Sequence, residues 1–276
     1  MPMLPGVYHA EKKDGTPYFR ASITFRNKHI SLGSFSTEAA ANRAYRQAKN
    51  VMVQNKVQIN DHGTFPAALP LDKLISLLNF RDRGLYFKTP IYLRTNYFEY
   101  YLSKDTILKF DIDDLFFYSS HKIQRRGNHL FVSEYGMQTG ILTRYGIKSY
   151  AVAGKDYLFA NGDVTDYRYA NIRIRNAYYG VEQIGDGPTA TFKTRIHING
   201  NYIVGVYDTA EKAAIAYNKA VDLAKDAGIR RNYSQNYLET LSAREYAEIY
   251  TDLRVSGEYL TYLHAMGQNK KSPAAP

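Results

Sequence analysis

Apolar and polar residues alternate along two stretches of the chain that lie far apart. In the first, Phe19, Ala21, Ile23 and Phe25 alternate with Arg20, Ser22, Thr24 and Arg26; in the second, Phe192, Thr194, Ile196 and Ile198 alternate with Lys193, Arg195, His197 and Asn199. A period of two predicts a strand with one face on a core and the other in solvent. Arg26-Asn27-Lys28 and Asn199-Gly200 follow as hairpin turns. Each leads into a further strand, with Ile30 and Leu32, or Tyr202 and Val204, turned inward. The period then becomes helical: Ala41, Ala44, Tyr45 and Ala48 recur at i, i+3, i+4 and i+7, as do Ala213, Ala216, Tyr217 and Ala220. Thr37, and Asp208 with Thr209, stand where N-caps belong. Alanine on the packing face lets a helix lie close on a sheet. Each stretch therefore predicts a three-stranded antiparallel sheet backed by one helix.

The two stretches are copies of one another. Gly6-Val7 matches Gly180-Val181, Leu32-Gly33 matches Val204-Gly205, Phe35 matches Tyr207 and Thr37 matches Thr209. The separation falls from 174 to 173 to 172, one residue being lost in each expected turn. Length changes confined to turns are what two copies of one small fold should show. A unit of roughly 55 residues is marginal alone, so the copies are expected to pack against other parts of the chain.

Between the copies the pattern is less regular. LDKLISLLNF (71–80) predicts a short helix. LYFKTPIYL, NYFEYYL and DLFFYSS look strand-like, with turns near Gly84, Lys104-Asp105 and Gly127-Asn128, and their many aromatics suit core packing. After the second copy, Ser242 and Glu245 form a capping box, with Leu241 placed to staple on Tyr246. Tyr246, Ile249, Tyr250 and Leu253 form an apolar stripe, and a second helix, EYLTYLHAM, follows Gly257. These helices are expected on the second sheet unit or the middle region, with a homodimer contact as the alternative. The class is α+β. The segments are 1–58, 59–104, 105–178, 179–240, 241–265 with the C-terminal helices, and a disordered tail over 266–276.

Charge narrows the choice of partner. The chain carries a formal net charge of +10 with a pI near 9.4, and residues 1–58 hold nine Lys/Arg against three Asp/Glu, a net of +6. Such an excess suits a polyanion. There is no cysteine, hence no disulfide framework and no thiolate zinc site. No apolar run approaches 18 residues, so no membrane span is expected. The start, MPMLPGVYHAEKKDG, lacks the pattern of a secretory signal, and a cytoplasmic, nucleoid-associated location is expected.

The element order, with LGSFSTEAAANRAY and VGVYDTAEKAAIAY, resembles the Apetala-two DNA-binding domain of the ethylene-response-factor type, over residues 5–53 and 178–226. That resemblance implies double-stranded DNA as partner, with the exposed face of each sheet in the major groove. The chain departs from the family in having no Trp, so Tyr18, Phe19, Phe192 and Tyr202 would take any stacking role. The outward positions are Arg20, Ser22, Thr24, Arg26, Lys28, His29 and Ser31 in the first sheet, and Lys193, Arg195, His197, Asn199 and Asn201 in the second. Neither set contains a carboxylate. Lys12, Lys13 and Lys28, on loops, suit phosphate contacts.

A second resemblance lies in the middle. LFANGDVTDYRYANI (158–172) places Asn161, Gly162, Asp163, Asp166, Arg168 and Asn171 as in the HNH endonuclease finger, whose frame is ββα. An HNH site needs a histidine as general base and a metal to stabilise charge on the leaving oxygen. Leu158 and Phe159 stand at the histidine positions, and neither can bind metal or move a proton. His121 and His129 lie upstream, and Asp111, Asp113 and Asp114 read as turn caps and solvated charge. The expectation is a non-catalytic protein without metal or cofactor that binds duplex DNA as a transcriptional regulator or architectural factor. The alternatives are an active endonuclease with displaced ligands, and an RNA- or protein-interaction module.

Overall fold

Both alternating stretches form sheets, and the helical period after each forms a helix. The computed structural model describes residues 3–54, 56–65, 67–148 and 151–269. In the first copy β1 (Val7–Glu11), β2 (Pro17–Phe25) and β3 (Lys28–Phe35) form an antiparallel sheet in that order, followed by α1 (Glu38–Met52). Ala41, Ala44, Ala48 and Val51 of α1 are buried against Ala21, Ile23, Ile30 and Leu32 of the sheet. Burying the face of a short sheet under a small-residue helix is what lets the unit hold a core. The Thr37 hydroxyl caps α1 by accepting from Ala40 N–H. Arg26 (φ +47°) and Asn27 (φ +59°) are both left-handed, the geometry of a two-residue hairpin turn.

Helix α2 (Leu71–Arg83) extends that core through Leu74, Leu77 and Leu78 and packs on α1, while its Asn79 accepts from Leu93 N–H of β4 (Ile91–Leu93). Strands β4, β5 (Tyr97–Tyr101) and β6 (Ile107–Asp111) make a second antiparallel sheet. The run DLFFYSS is helical rather than extended, as α3 (Leu115–Ser120). Short apolar runs fit either state by pattern alone. Here Tyr118 is fully buried among Phe98, Tyr100 and Phe110 of the neighbouring sheet, and a helical turn supplies that contact. LYFKTP is likewise not strand; within LYFKTPIYL only Ile91–Leu93 is. A third sheet follows: β7 (Gln124–Arg126), β8 (His129–Glu134) and β9 (Met137–Gly140). The short strands β10 (Tyr157–Phe159) and β11 (Ile172–Ile174) then pair with each other.

In the second copy β12 (Val181–Ile184), β13 (Thr191–His197) and β14 (Asn201–Tyr207) form the sheet, and α4 (Ala210–Asp226) backs it. Thr209 caps α4 as Thr37 caps α1. A three-residue connection, Ile198-Asn199-Gly200, joins β13 to β14, with Ile198 N–H donating to Gly200 O. Helix α5 (Ala243–Asp252) carries the capping box and lies on α4, tied by Tyr250 OH to Asp222 at 3.1 Å. Helix α6 (Gly257–Asn269) buries Tyr259 and Leu263 with α4 and β14. It runs past 265, so residues 266–269 are helical and not tail; the rest of the expected disordered tail lies outside the described residues.

The chain divides into two compact units. One comprises Met1–Tyr145 with Phe159–Ile172, the other Gly146–Leu158 with Arg173–Pro276. The 105–178 segment is thus shared between the units.

Candidate nucleic-acid interface

The outward face of the first sheet is polar and carries no acid at its register positions. Arg20 is exposed on β2, and its Nε and Nη2 donate to the Tyr18 hydroxyl at 3.0 and 2.6 Å, with the guanidinium 5.4 Å over the Tyr18 ring. A guanidinium fixed along one edge keeps its other donors free and loses little entropy on binding. Thr24 and His29 are cross-strand partners, Oγ1 to Nδ1 3.4 Å, and Ser31 is exposed beside them. Tyr8 of β1, paired with Arg20, adds an exposed aromatic that the alternation of β2 and β3 did not point to. Lys12 and Lys13 are exposed in the β1–β2 loop and line a shallow cavity of about 670 Å³ with Glu11, Thr16, Tyr18, Ser34 and Ser36.

Three expected residues of this face behave differently. Ser22 is only 8% exposed: it sits on the central strand at a register shift, and its N–H donates to Gly6 O. Arg26 belongs to the turn, with Nη1 donating to Phe80 O at 3.4 Å and its guanidinium 5.1 Å over the Phe25 ring. Lys28 holds its ammonium 5.1 Å over the Tyr86 ring. Both are attached to the body of the unit rather than extended from the sheet.

The second sheet presents a different surface. Edge strand β12 brings Glu182 opposite Lys193, and Glu182 accepts from Arg195 Nη2 at 2.6 Å while Lys155 Nζ lies 3.2 Å from its other oxygen. The expectation of a face without carboxylates is therefore corrected. It rested on β13 and β14, whereas the acid arrives on the third strand. Lys193 is half-buried; His197 is exposed and pairs with Asn201 at 3.1 Å. Asn199 Oδ1 accepts from Tyr202 OH and Tyr262 OH at 3.1 and 3.0 Å. Ile184, Ile203 and Val206 stand exposed, and the repeat-equivalent positions of the first sheet hold Ala10, Ser31 and Ser34.

The finger is held together by its own polar groups. Asn171 is buried; its Nδ2 donates to Asp166 O at 2.8 Å and its Oδ1 accepts from Asn161 N–H at 2.7 Å. Gly162 turns the chain at φ +76°. Asp166 is fully buried: burial raises its pKa, yet hydrogen bonds from Arg168 and Asn161 outweigh that and hold it below the usual carboxylate value. Asp163 pairs with Lys109 Nζ at 2.8 Å and accepts from Thr165, and those bonds lower it to about 2. A cavity of about 380 Å³ is lined by Asp111, Asn161, Asp166, Arg168 and Asn171. Leu158 and Phe159 lie in β10, Phe159 packing edge-on to Tyr167 at 5.5 Å. No helix follows β11; residues 175–180 lead directly to β12.

Upstream, His121 stacks on Phe117 at 4.3 Å with Nε2 4.0 Å from Glu134, and His129 is exposed on β8. Asp114 is buried and paired with Arg144, and Asp111 accepts from Tyr169 N–H at 2.6 Å, so only Asp113 of that trio fits solvated charge. Among the described residues no three His, Asp or Glu side chains gather as metal ligands. No described helix is long and apolar enough to cross a membrane. Compared with protein-family models, curated proteins and solved structures, the chain finds no match.

Proposed function

We propose that this protein binds double-stranded DNA without cleaving it, as a regulatory or architectural factor, and that the first sheet is its principal reading surface. The observation that carries this is the outward face of β1–β3. It offers a fixed arginine, hydroxyls and an imidazole with no acid at its register positions, and the loop beside it carries Lys12 and Lys13 between Glu11 and Asp14. A twisted β-sheet with this chemistry fits the major groove, where an arginine finds paired acceptors on guanine and loop lysines meet phosphates. The second sheet, whose arginine is already paired with Glu182, contributes less: an arginine must give up that carboxylate to meet a base or a phosphate. The non-catalytic reading is supported by the finger, where Asp163, Asp166 and Asn171 are bonded within the fold and two apolar residues fill the histidine positions.

The test is duplex binding by fluorescence anisotropy across a salt series, with plasmid nicking in Mg²⁺ or Mn²⁺ alongside. Affinity falling steeply with salt and no nicking above background support the reading. Nicking abolished by His121→Ala with His129→Ala would replace it with an endonuclease using displaced ligands.

A further inference from the structure

Two Asn-Gly pairs occur in the chain, Asn161-Gly162 in the finger and Asn199-Gly200 between β13 and β14. Such a pair carries a reaction of its own. The glycine nitrogen can attack the asparagine side-chain carbonyl, because no side chain on the following residue obstructs the approach. The attack needs a glycine N–H that is not donating elsewhere, an amide nitrogen able to leave, and a backbone loose enough to align them. Both asparagines are exposed, so access to water does not separate them. Their hydrogen bonds do.

In the finger every participant is engaged. Gly162 N–H donates to Phe159 O at 3.0 Å, Asn161 Nδ2 donates to Asp166 at 3.0 Å, and Asn161 Oδ1 accepts from Asp163 N–H at 2.8 Å. Attack there must break the glycine bond and detach the leaving nitrogen from a buried carboxylate. At the β13–β14 turn the pattern is reversed. Gly200 takes part through its carbonyl, which accepts from Ile198 N–H. Neither its own N–H nor Asn199 Nδ2 has a hydrogen-bond partner among the described residues. What is held is Asn199 Oδ1, which accepts from the Tyr202 and Tyr262 hydroxyls. Donors on that oxygen stabilise the negative charge it gains as the nitrogen adds to Cγ.

We infer that Asn199 is a self-modification site, deamidating through Gly200, while Asn161 is protected by its bonds. A base in solvent takes the Gly200 amide proton, and the nitrogen forms a bond to Asn199 Cγ. The Cγ–Nδ2 bond breaks and ammonia leaves with a proton from water. The succinimide ring then takes up water and opens at either carbonyl, giving aspartate or its β-linked isomer. The net change is amide plus water to acid plus ammonia, with no oxidant or reductant. It sets a carboxylate in the turn that carries the His197–Asn201 pair and the Arg231 bond to Ile198 O, and lowers the +10 charge of the chain by one.

Timed incubation of the intact chain, followed by peptide mass mapping, tests this. The peptide with Asn199 should gain the mass of an amide-to-acid exchange, and the one with Asn161 should lag severalfold. The Asn199 reaction should quicken as pH rises from neutral to mildly alkaline, because removal of the amide proton comes first. In denaturant the two sites should react at similar rates, since both are then plain Asn-Gly. Gly200→Ala should slow the Asn199 reaction severalfold. That variant keeps its fold: Gly200 is not left-handed, and an added Cβ meets the Tyr202 ring at 3.9 Å, an ordinary contact. Equal native rates at both sites, an Asn161 lag that persists in denaturant, or a Gly200→Ala chain that reacts as fast as the parent would each overturn the inference.

Discussion

Gly6 and Gly180 stand at equivalent points of the two copies, each left-handed, at φ +72° and +69°. A Cβ built on Gly6 would meet the Tyr45 ring at 2.1 Å, and one on Gly180 the Tyr217 ring at 2.2 Å. Each tyrosine lies on its helix where the repeat places it, so the glycine is what lets the strand entry approach the helix. Either Gly→Ala change should therefore destabilise its unit by about 2–4 kcal/mol, from overpacking together with left-handed strain, read by chemical denaturation. At the finger, Asp163 is held near 2, below its ordinary 3.8, first by the Lys109 hydrogen bond and then by Thr165. A depressed carboxylate stabilises the fold above its unfolded value and loses that contribution as pH falls from about 4 towards 2. Asp163→Asn should flatten the stability profile in that window, although solvent around this half-exposed pair keeps the effect small. Arg20 and Arg195 separate the two faces in one comparison. Arg20→Ala should weaken duplex binding several-fold more than Arg195→Ala, and Glu182→Gln, by releasing Arg195, should strengthen it.

At the scale of elements, the repeat was legible because two periodicities follow one another in the same order twice: period two for β2 and β13, then period 3.6 for α1 and α4. Caps were legible for the same local reason. Thr37→Ala and Thr209→Ala should each cost about 1 kcal/mol, with similar size in both copies, in equilibrium unfolding. What escaped the sequence was set by contacts distant along the chain. The register shift at Ala21/Ser22 buries a serine that alternation places in solvent. Glu182 reaches Arg195 only because β12 pairs with β13. Asp114 leaves solvent because Arg144, thirty residues on, meets it. DLFFYSS has the composition of a strand, and its helical state is decided by the aromatic pocket around Tyr118. The β8–β9 turn was equally hidden: its Tyr135-Gly136 pair reads as a weak turn signal until both residues are seen to be left-handed.

For the whole molecule, a charge of +10 is an attraction without an address, and the addresses differ between the two units. In the first, Arg20 stands on the sheet face bonded to Tyr18 and not to an acid; in the second, Lys155 and Arg195 share Glu182, and three aliphatic side chains occupy the exposed face. Two copies of one fold therefore present unlike surfaces, and the proposed function does not require both to bind. If both bind, tethering raises the effective concentration of the second for the same duplex. The most direct measurement is the salt dependence of duplex binding by the intact chain, compared with Arg20→Ala and with Lys12→Ala plus Lys13→Ala. Log affinity should fall linearly with log salt at about −0.9 per phosphate neutralised. The lysine pair should make that slope shallower by roughly 2, and Arg20→Ala should lower affinity and sequence preference together. A flat salt response, or binding untouched by all three substitutions, would contradict recognition through the first sheet.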